Sequence, residues 1–230
     1  MTALRPGLTL GITVAAACAI AAALAGSAWA WLHYLAKPLA TLLLLVLAST
    51  AAKPVSPRYR ATILLGLFFS LVGDVCLMLP VDLFLPGLVA FLLAHLCYIS
   101  AFAPGSDARM RLLSIALFAV FGGANLYGLL PRLPADMRVP VLVYVVALVV
   151  MAGLALARAR SLPNAGVQPA LAGSARAAAI GAALFVLSDT LLAWDRFGGG
   201  IPLASLWVLA TYFIAQWYIA RSVDLRTGGQ

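Results

Sequence analysis

The chain has 230 residues, of which 64% are hydrophobic and only 10% charged, and its formal charge is +8. Soluble domains carry roughly a quarter charged residues, so this composition excludes a water-soluble globular domain, which would lack polar surface to cover its core. The positive charge does not indicate nucleic acid either: no basic-aromatic platform or nucleic-acid motif is present, and the arginines read as anchors at an anionic membrane surface.

Crossing the hydrocarbon as a helix takes about 20 apolar residues. Eight stretches supply them, at 8–28, 34–51, 59–79, 83–102, 111–130, 138–157, 174–194 and 202–220, with ends placed to within ~3 residues. The expected fold is an all-α polytopic membrane bundle of eight transmembrane helices, one integral domain over 1–230. Proline- and glycine-bearing breaks separate the spans, as at Lys53-Pro54 to Pro57, Pro131 to Pro134 and Gly198 to Pro202.

In chain order, the first span has signal-peptide features: Arg5, an apolar run and Ala28-Trp29-Ala30. Its run exceeds the about 7–15 residues of such a leader's apolar region, so a retained helix is expected. The second span opens with Lys37, placed either to meet a phosphate or neutralise a carboxylate, or to snorkel to the interface. In the third, Gly66, Ser70 and Asp74 recur at i, i+4 and i+8, putting small residues and an acid on one face suited to close helix packing. His95 and Tyr98 are i, i+3 neighbours in the fourth. Asn125 and Tyr127 lie near the outer end of the fifth. Asp189 sits in the seventh, with Gly181 and Ala182 about two turns before it and expected on its side. Tyr212 and Gln216 are i, i+4 neighbours in the eighth.

The basic residues check this count. Both termini and the second, fourth and sixth loops hold Arg5, Lys53, Arg58, Arg60, Arg109, Arg111, Arg158, Arg160, Arg176, Arg221 and Arg226. The other side holds Arg132, Arg138, Arg196 and Lys37. By the positive-inside rule both termini are expected in the cytoplasm.

An ionisable residue within a span costs roughly 2.5–3.5 kcal/mol on insertion scales and is a functional candidate by default. All seven acids are aspartates, and only Asp74 and Asp189 lie well inside spans. Both helices run outward, and each acid lies about three quarters of the way along a span of about 20 residues. Two carboxyls in one poorly solvated site share a proton, one then acting as acid and the other as base. The plainer reading is that each aspartate is a hydrogen-bonding partner between helices. Their separation by half the chain hints at two parallel four-helix repeats. His95, Tyr98, Asn125, Tyr127, Tyr212, Gln216 and Lys37 are candidates to line the same cavity and bind substrate.

Other chemistries find no support. There are two histidines, His33 at an interface, so a three-histidine zinc site is excluded. Asp74, Asp189 and His95 include possible metal ligands, but their spacing demands no metal. There is no Gly-x-Ser-x-Gly elbow and no phosphate-binding loop. Cys18, Cys76 and Cys97 read as small buried hydrophobes. No cofactor is expected.

At these residues the chain resembles the YhhN, or lysoplasmalogenase, family, whose animal members are the transmembrane protein 86 proteins. The resemblance rests on Lys37-Pro38-Leu39, Gly73-Asp74 with Leu77, and the pattern Gly87-Leu-x-x-Phe91-x-x-x-His95-x-x-Tyr98-x-x-x-Phe102. Gly181 through Phe185, Ser188-Asp189, Arg196-Phe197, Thr211-Tyr212 and Gln216 extend it. Each motif is short; their order and spacing over most of the chain carry the resemblance. It implies a membrane hydrolase that cleaves the sn-1 vinyl ether of lysoplasmalogen to a fatty aldehyde and a glycerophospho-ethanolamine or -choline. Asp74 and Asp189 would be the catalytic pair, and a lysophospholipid the substrate among membrane lipids. The Ala- and Arg-rich composition suggests a bacterial inner-membrane protein. Two other classes remain: a proton-coupled transporter of small molecules or lipids that uses the aspartates as a relay, and an intramembrane aspartyl protease. Against the protease, Leu71 stands where its motif would have a first glycine.

Overall fold

The computed structural model describes residues 4–225, with the side chains of residues 4, 5, 164 and 165 excepted. Arg226, counted above among the basic residues, lies outside the described residues.

A backbone surrounded by lipid has to satisfy its own hydrogen bonds, and helices do so within one segment. The apolar runs accordingly form α1 (Leu4–Ala25), α2 (Ala30–Ser49), α3 (Pro57–Met78), α4 (Phe84–Phe102), α5 (Ala108–Leu129), α6 (Arg138–Ser161), α7 (Pro169–Phe197) and α8 (Ala204–Arg221). Local chemistry sets several ends. Gly26, at φ 86°, ends α1 in a conformation that L residues rarely adopt. Ser56 caps α3 by accepting the Tyr59 N–H, with Pro57 in the first turn, and Asp107 caps α5 by accepting from Met110. The helices begin and end within a few residues of the expected spans. The largest differences are at α7, which starts at Pro169 rather than 174, and at the α1–α2 break, which lies at Gly26 to Trp29.

Among the described residues, seven helices are long and apolar enough to cross a membrane, which makes the chain an integral membrane protein. The expected eighth span, α8, has 18 residues and is interrupted by Thr211, Tyr212 and Gln216. Two of these turn inward, Tyr212 at 4% exposure and Gln216 at 0%, while the Thr211 hydroxyl bonds the Trp207 carbonyl of its own helix. Outside, Leu10, Leu35, Leu112, Val120 and Val139 stand exposed, a surface suited to lipid and hazardous in water.

Short connections make successive helices antiparallel. Contacts close a ring in the order α1, α2, α3, α4, α6, α7, α8 and back to α1, while α5 lies outside it against α6 and α7. Neighbour pairs recur four helices apart: α2·α3 with α6·α7, α3·α4 with α7·α8, and α4·α6 with α8·α2. The recurrence is incomplete, since α1 packs on α8 but no contact of similar extent joins α5 to α4. After α8 the chain bonds to the α2–α3 loop, Val55 N–H donating to Val223 and Leu225 N–H to Lys53.

Small residues set the helix approaches, as the sequence suggested for α3. A Cβ on Gly66 would lie 2.3 Å from Tyr98 Cε1, and Tyr98 is 0% exposed with its hydroxyl committed to Gln216. It has nowhere to retreat. Gly66→Ala is expected to cost about 1–3 kcal/mol by overpacking, read as a lower melting midpoint in detergent; an unchanged midpoint would refute this close α3–α4 contact.

Candidate active site

Two aspartates on different helices are each held by the helices flanking them. From the second turn of α2, Lys37 points inward; Pro38 beside it lacks an N–H and leaves the Tyr34 carbonyl without its usual helical donor. Lys37 Nζ lies 3.4 Å from Asp74 Oδ1 and 3.3 Å from the Asp74 carbonyl. Thr41, one turn further, and Tyr212 of α8 each donate to Asp74 Oδ2 at 2.7 Å. Asp74 is 1% exposed and Lys37 6%. A carboxylate so deeply buried requires such a set of donors and a countercharge.

Asp189 has a different environment. Tyr144 of α6 donates to its Oδ2 at 2.6 Å. His95 Nε2 lies 2.9 Å from the Tyr144 hydroxyl and 3.5 Å from Asp189 Oδ2. No lysine or arginine pairs with Asp189 among the described residues, and its Oδ1 makes no hydrogen bond there. His95 is fully buried, and its Nδ1 has no partner among the described residues.

Both carboxyls open on one cavity of about 720 Å³, lined also by Lys37, Ser188, Tyr212, His33 and Asp195. Phe91 and Tyr212 in its wall pack on each other and on the fully buried Phe185 behind them, with ring centroids 5.6–6.1 Å apart and set edge to face. A second cavity, about 810 Å³ and mostly apolar, lies among α4, α5, α6 and α7 and shares Leu77, Phe91, Asp189 and Leu192 with the first.

The structure separates the other expected site residues. Tyr98 and Gln216 are fully buried behind the cavity: Tyr98 donates to Gln216 Oε1 at 3.0 Å, and Gln216 Nε2 to Tyr212 at 3.3 Å. They form a chain that orients Tyr212 toward Asp74. Asn125 lines the apolar cavity, with Oδ1 accepting from Trp194 and Nδ2 donating to the Phe121 carbonyl. Tyr127 is 83% exposed and lines neither cavity; as the second residue after Asn125 on a helix, it faces away from it. Gly181 also departs from expectation. It abuts the Ala215 carbonyl and Ile219 of α8, the same direction as Ser188, which donates to Val208. Ala182, seven residues before Asp189, is fully buried.

Thr41, Tyr144, His33 and Asp195 were not legible as site residues. Signals existed for two: Thr41 follows Lys37 at i, i+4, and Tyr144 is the one polar side chain amid the apolar run of α6. His33 and Asp195 lie near helix ends, where an interfacial role is the default. At the edge of the apolar cavity, Arg196 donates to Asp82 at 2.6 Å and lies over the Phe84 ring. That guanidinium, with the Phe84 N–H, holds the exposed Asp82 carboxyl below the usual carboxylate range. Among the described residues no group of three His, Cys or Asp side chains is placed to hold a metal.

The fold and site define a class: an α-helical integral membrane protein with a carboxyl pair in a cavity bordered by its apolar interior. Comparison with known proteins narrows it. The YhhN family model matches residues 32–223, and the chain belongs to the YhhN family. It is similar to the pig protein named lysoplasmalogenase TMEM86B, 35% identical over 200 residues, covering 84% of this chain and 76% of that one. Its human counterpart is 38% identical over 68% of this chain and 61% of its own length. A lysoplasmalogenase of Mycobacterium bovis is 33% identical over 69% of this chain and 58% of its own. The matches thus leave about two fifths of the human and mycobacterial proteins outside the aligned region. No solved structure matches the chain.

Proposed function

We propose that this protein is a lysoplasmalogenase, hydrolysing the sn-1 vinyl ether of a lysophospholipid with Asp189 as acid and Asp74 as carboxylate. The single observation that carries this reading is that both aspartates line one cavity with unlike partners: a lysine for Asp74, a tyrosine and a histidine for Asp189. The names of the relatives supply the substrate class.

The division of roles follows from those partners. Both oxygens of Asp74 are occupied by donors, one a cation, so Asp74 serves as the fixed negative charge. Asp189 lines the cavity and its Oδ1 makes no hydrogen bond among the described residues, which leaves that oxygen free to present a proton. Transfer of that proton to the vinyl carbon beta to the ether oxygen gives an oxocarbenium ion, which the Asp74 carboxylate stabilises. Water adds to the cation and returns a proton to Asp189. The hemiacetal then breaks its bond to the glycerol oxygen, which takes up a proton as the hemiacetal hydroxyl loses its own, and leaves a fatty aldehyde with glycerophospho-ethanolamine or -choline. Lys37 in this reading meets the head-group phosphate and the Asp195 carboxylate its ammonium, since both line the same cavity. In this reading all eight helices cross the inner membrane of a bacterium, with both termini and the arginine-rich loops cytoplasmic.

The test is to incubate the purified protein in detergent with lysoplasmalogen and, separately, with an ester lysophospholipid. Aldehyde from the first alone is the expected result. Fatty acid from the second alone would move the substrate class, and no product from folded protein would sink the hydrolase reading.

A further inference from the structure

The geometry points to the apolar cavity as the slot for the substrate's single alkenyl chain, with its α5–α6 wall limiting the chain length accepted. This rests on the lysolipid reading above.

Adjacency is the first argument. The apolar cavity and the polar one lie side by side, sharing Leu77, Phe91, Asp189 and Leu192 in their linings. A molecule with its head group beside Lys37 and its vinyl ether at Asp189 has this cavity next to its chain. The second argument is chemical. The polar side chains in the lining are Asn125, Tyr144, Asp189 and Thr190. Asn125 is bonded to Trp194 and to its own helix, Tyr144 to Asp189, and Thr190 to the Val186 carbonyl at 2.7 Å. Away from Asp189 the wall offers no unengaged hydrogen-bonding side chain, so it fits hydrocarbon and no polar ligand.

The slot is also bounded. At one end Phe84 and Phe197 meet edge to face at 5.4 Å, fastened by Arg196 over Phe84 and its ion pair with Asp82. At the other, α5 closes on α6 at Gly122, where a Cβ would lie 2.9 Å from Val149 Cγ2. Along α5, Gly122 to Leu129 spans about 10 Å of helix axis. A bounded slot discriminates by length, because methylenes beyond its capacity force either strain or exposure of the chain.

Val145 on α6 and Leu126 on α5 line the slot, while Val146, the next residue on α6, is 55% exposed on the outer face. Val145→Phe and Leu126→Trp therefore fill the slot from two different helices, and Val146→Phe adds bulk outside it. With octenyl and hexadecenyl lysoplasmalogens as substrates, each filling variant should lower kcat/KM for the longer chain roughly tenfold or more relative to the shorter. Val146→Phe should leave that ratio at the wild-type value. Equal losses on both chains in the two filling variants, or a matching loss in Val146→Phe, would overturn the slot. A readout independent of cleavage separates the two ideas: a saturated alkyl-ether lysolipid bearing a diazirine at its chain end, cross-linked to the wild-type protein. Label on residues 121–129 and 141–149 at slot-facing positions supports the slot even if no aldehyde is ever formed, in which case only the hydrolase reading fails. Label confined to outward residues such as Val120 and Val146 shows a chain lying in bulk lipid and refutes the slot.

Discussion

Asp189→Asn should abolish aldehyde release while leaving the protein folded and inserted. An amide has nearly the shape of the carboxyl and can still accept from Tyr144, whose hydroxyl is 2.6 Å away, so packing around α6 and α7 should hold. The change removes the proton that the vinyl ether needs. General acid catalysis contributes about 100- to 10,000-fold, and the loss should reach the upper part of that range, because the cavity's other aspartates are assigned to the fixed charge (Asp74) and the head group (Asp195). The measurement is aldehyde formed from lysoplasmalogen, read beside the melting midpoint in detergent. Substantial activity in folded Asp189→Asn protein would rule out this residue as the acid. In heavy water the wild-type aldehyde should carry deuterium on the carbon next to its carbonyl, since that carbon receives the transferred proton.

The second large effect concerns stability. Lys37→Met leaves the Asp74 carboxylate, 1% exposed, without the cation now 3.4 Å away. Breaking a buried ion pair by removing one partner costs about 3–5 kcal/mol, because a buried charge is left uncompensated. Thr41 and Tyr212 would remain as donors but supply no charge. The double variant Lys37→Met with Asp74→Asn removes both charges and should regain most of the lost melting temperature while staying inactive. Such a result separates the structural role of the pair from its chemical one. A Lys37→Met protein that melts like the wild type would show that the pair does not hold α2 and α3 together.

The two predictions differ because the two carboxyls sit in unlike settings built on a similar plan. Asp74 of α3 is held from α2 and α8; Asp189 of α7 is held from α6 and α4. These flanking helices correspond under a shift of four. The partners do not: lysine, threonine and tyrosine on one side, tyrosine and histidine on the other. One site therefore carries a fixed charge pair, and the other has a carboxyl oxygen free for chemistry.

Much of this was written in the sequence. Apolar runs of the right length specify helices because lipid leaves the backbone no other partners, and the observed ends differ from the expected ones by only a few residues. Asp74, Asp189, His95 and Lys37 stood out because ionisable groups are costly within such runs. Tertiary structure decided which of these meet. Lys37 read either as a partner for a phosphate or carboxylate or as a snorkelling anchor, and the packing of α2 on α3 decided it by setting Lys37 against Asp74. Tyr98 and Gln216, expected at the cavity, became its buried support, and Tyr127, expected there, faces outward at 83% exposure. Tyr144 gave little sign of its bond to Asp189. The physical reason is that helical spacing fixes only which residues share a face, whereas each helix's rotation and neighbours depend on close contacts such as Gly66 on Tyr98 and Gly181 on α8. Those contacts join residues far apart in the chain, and a single helix carries no record of them.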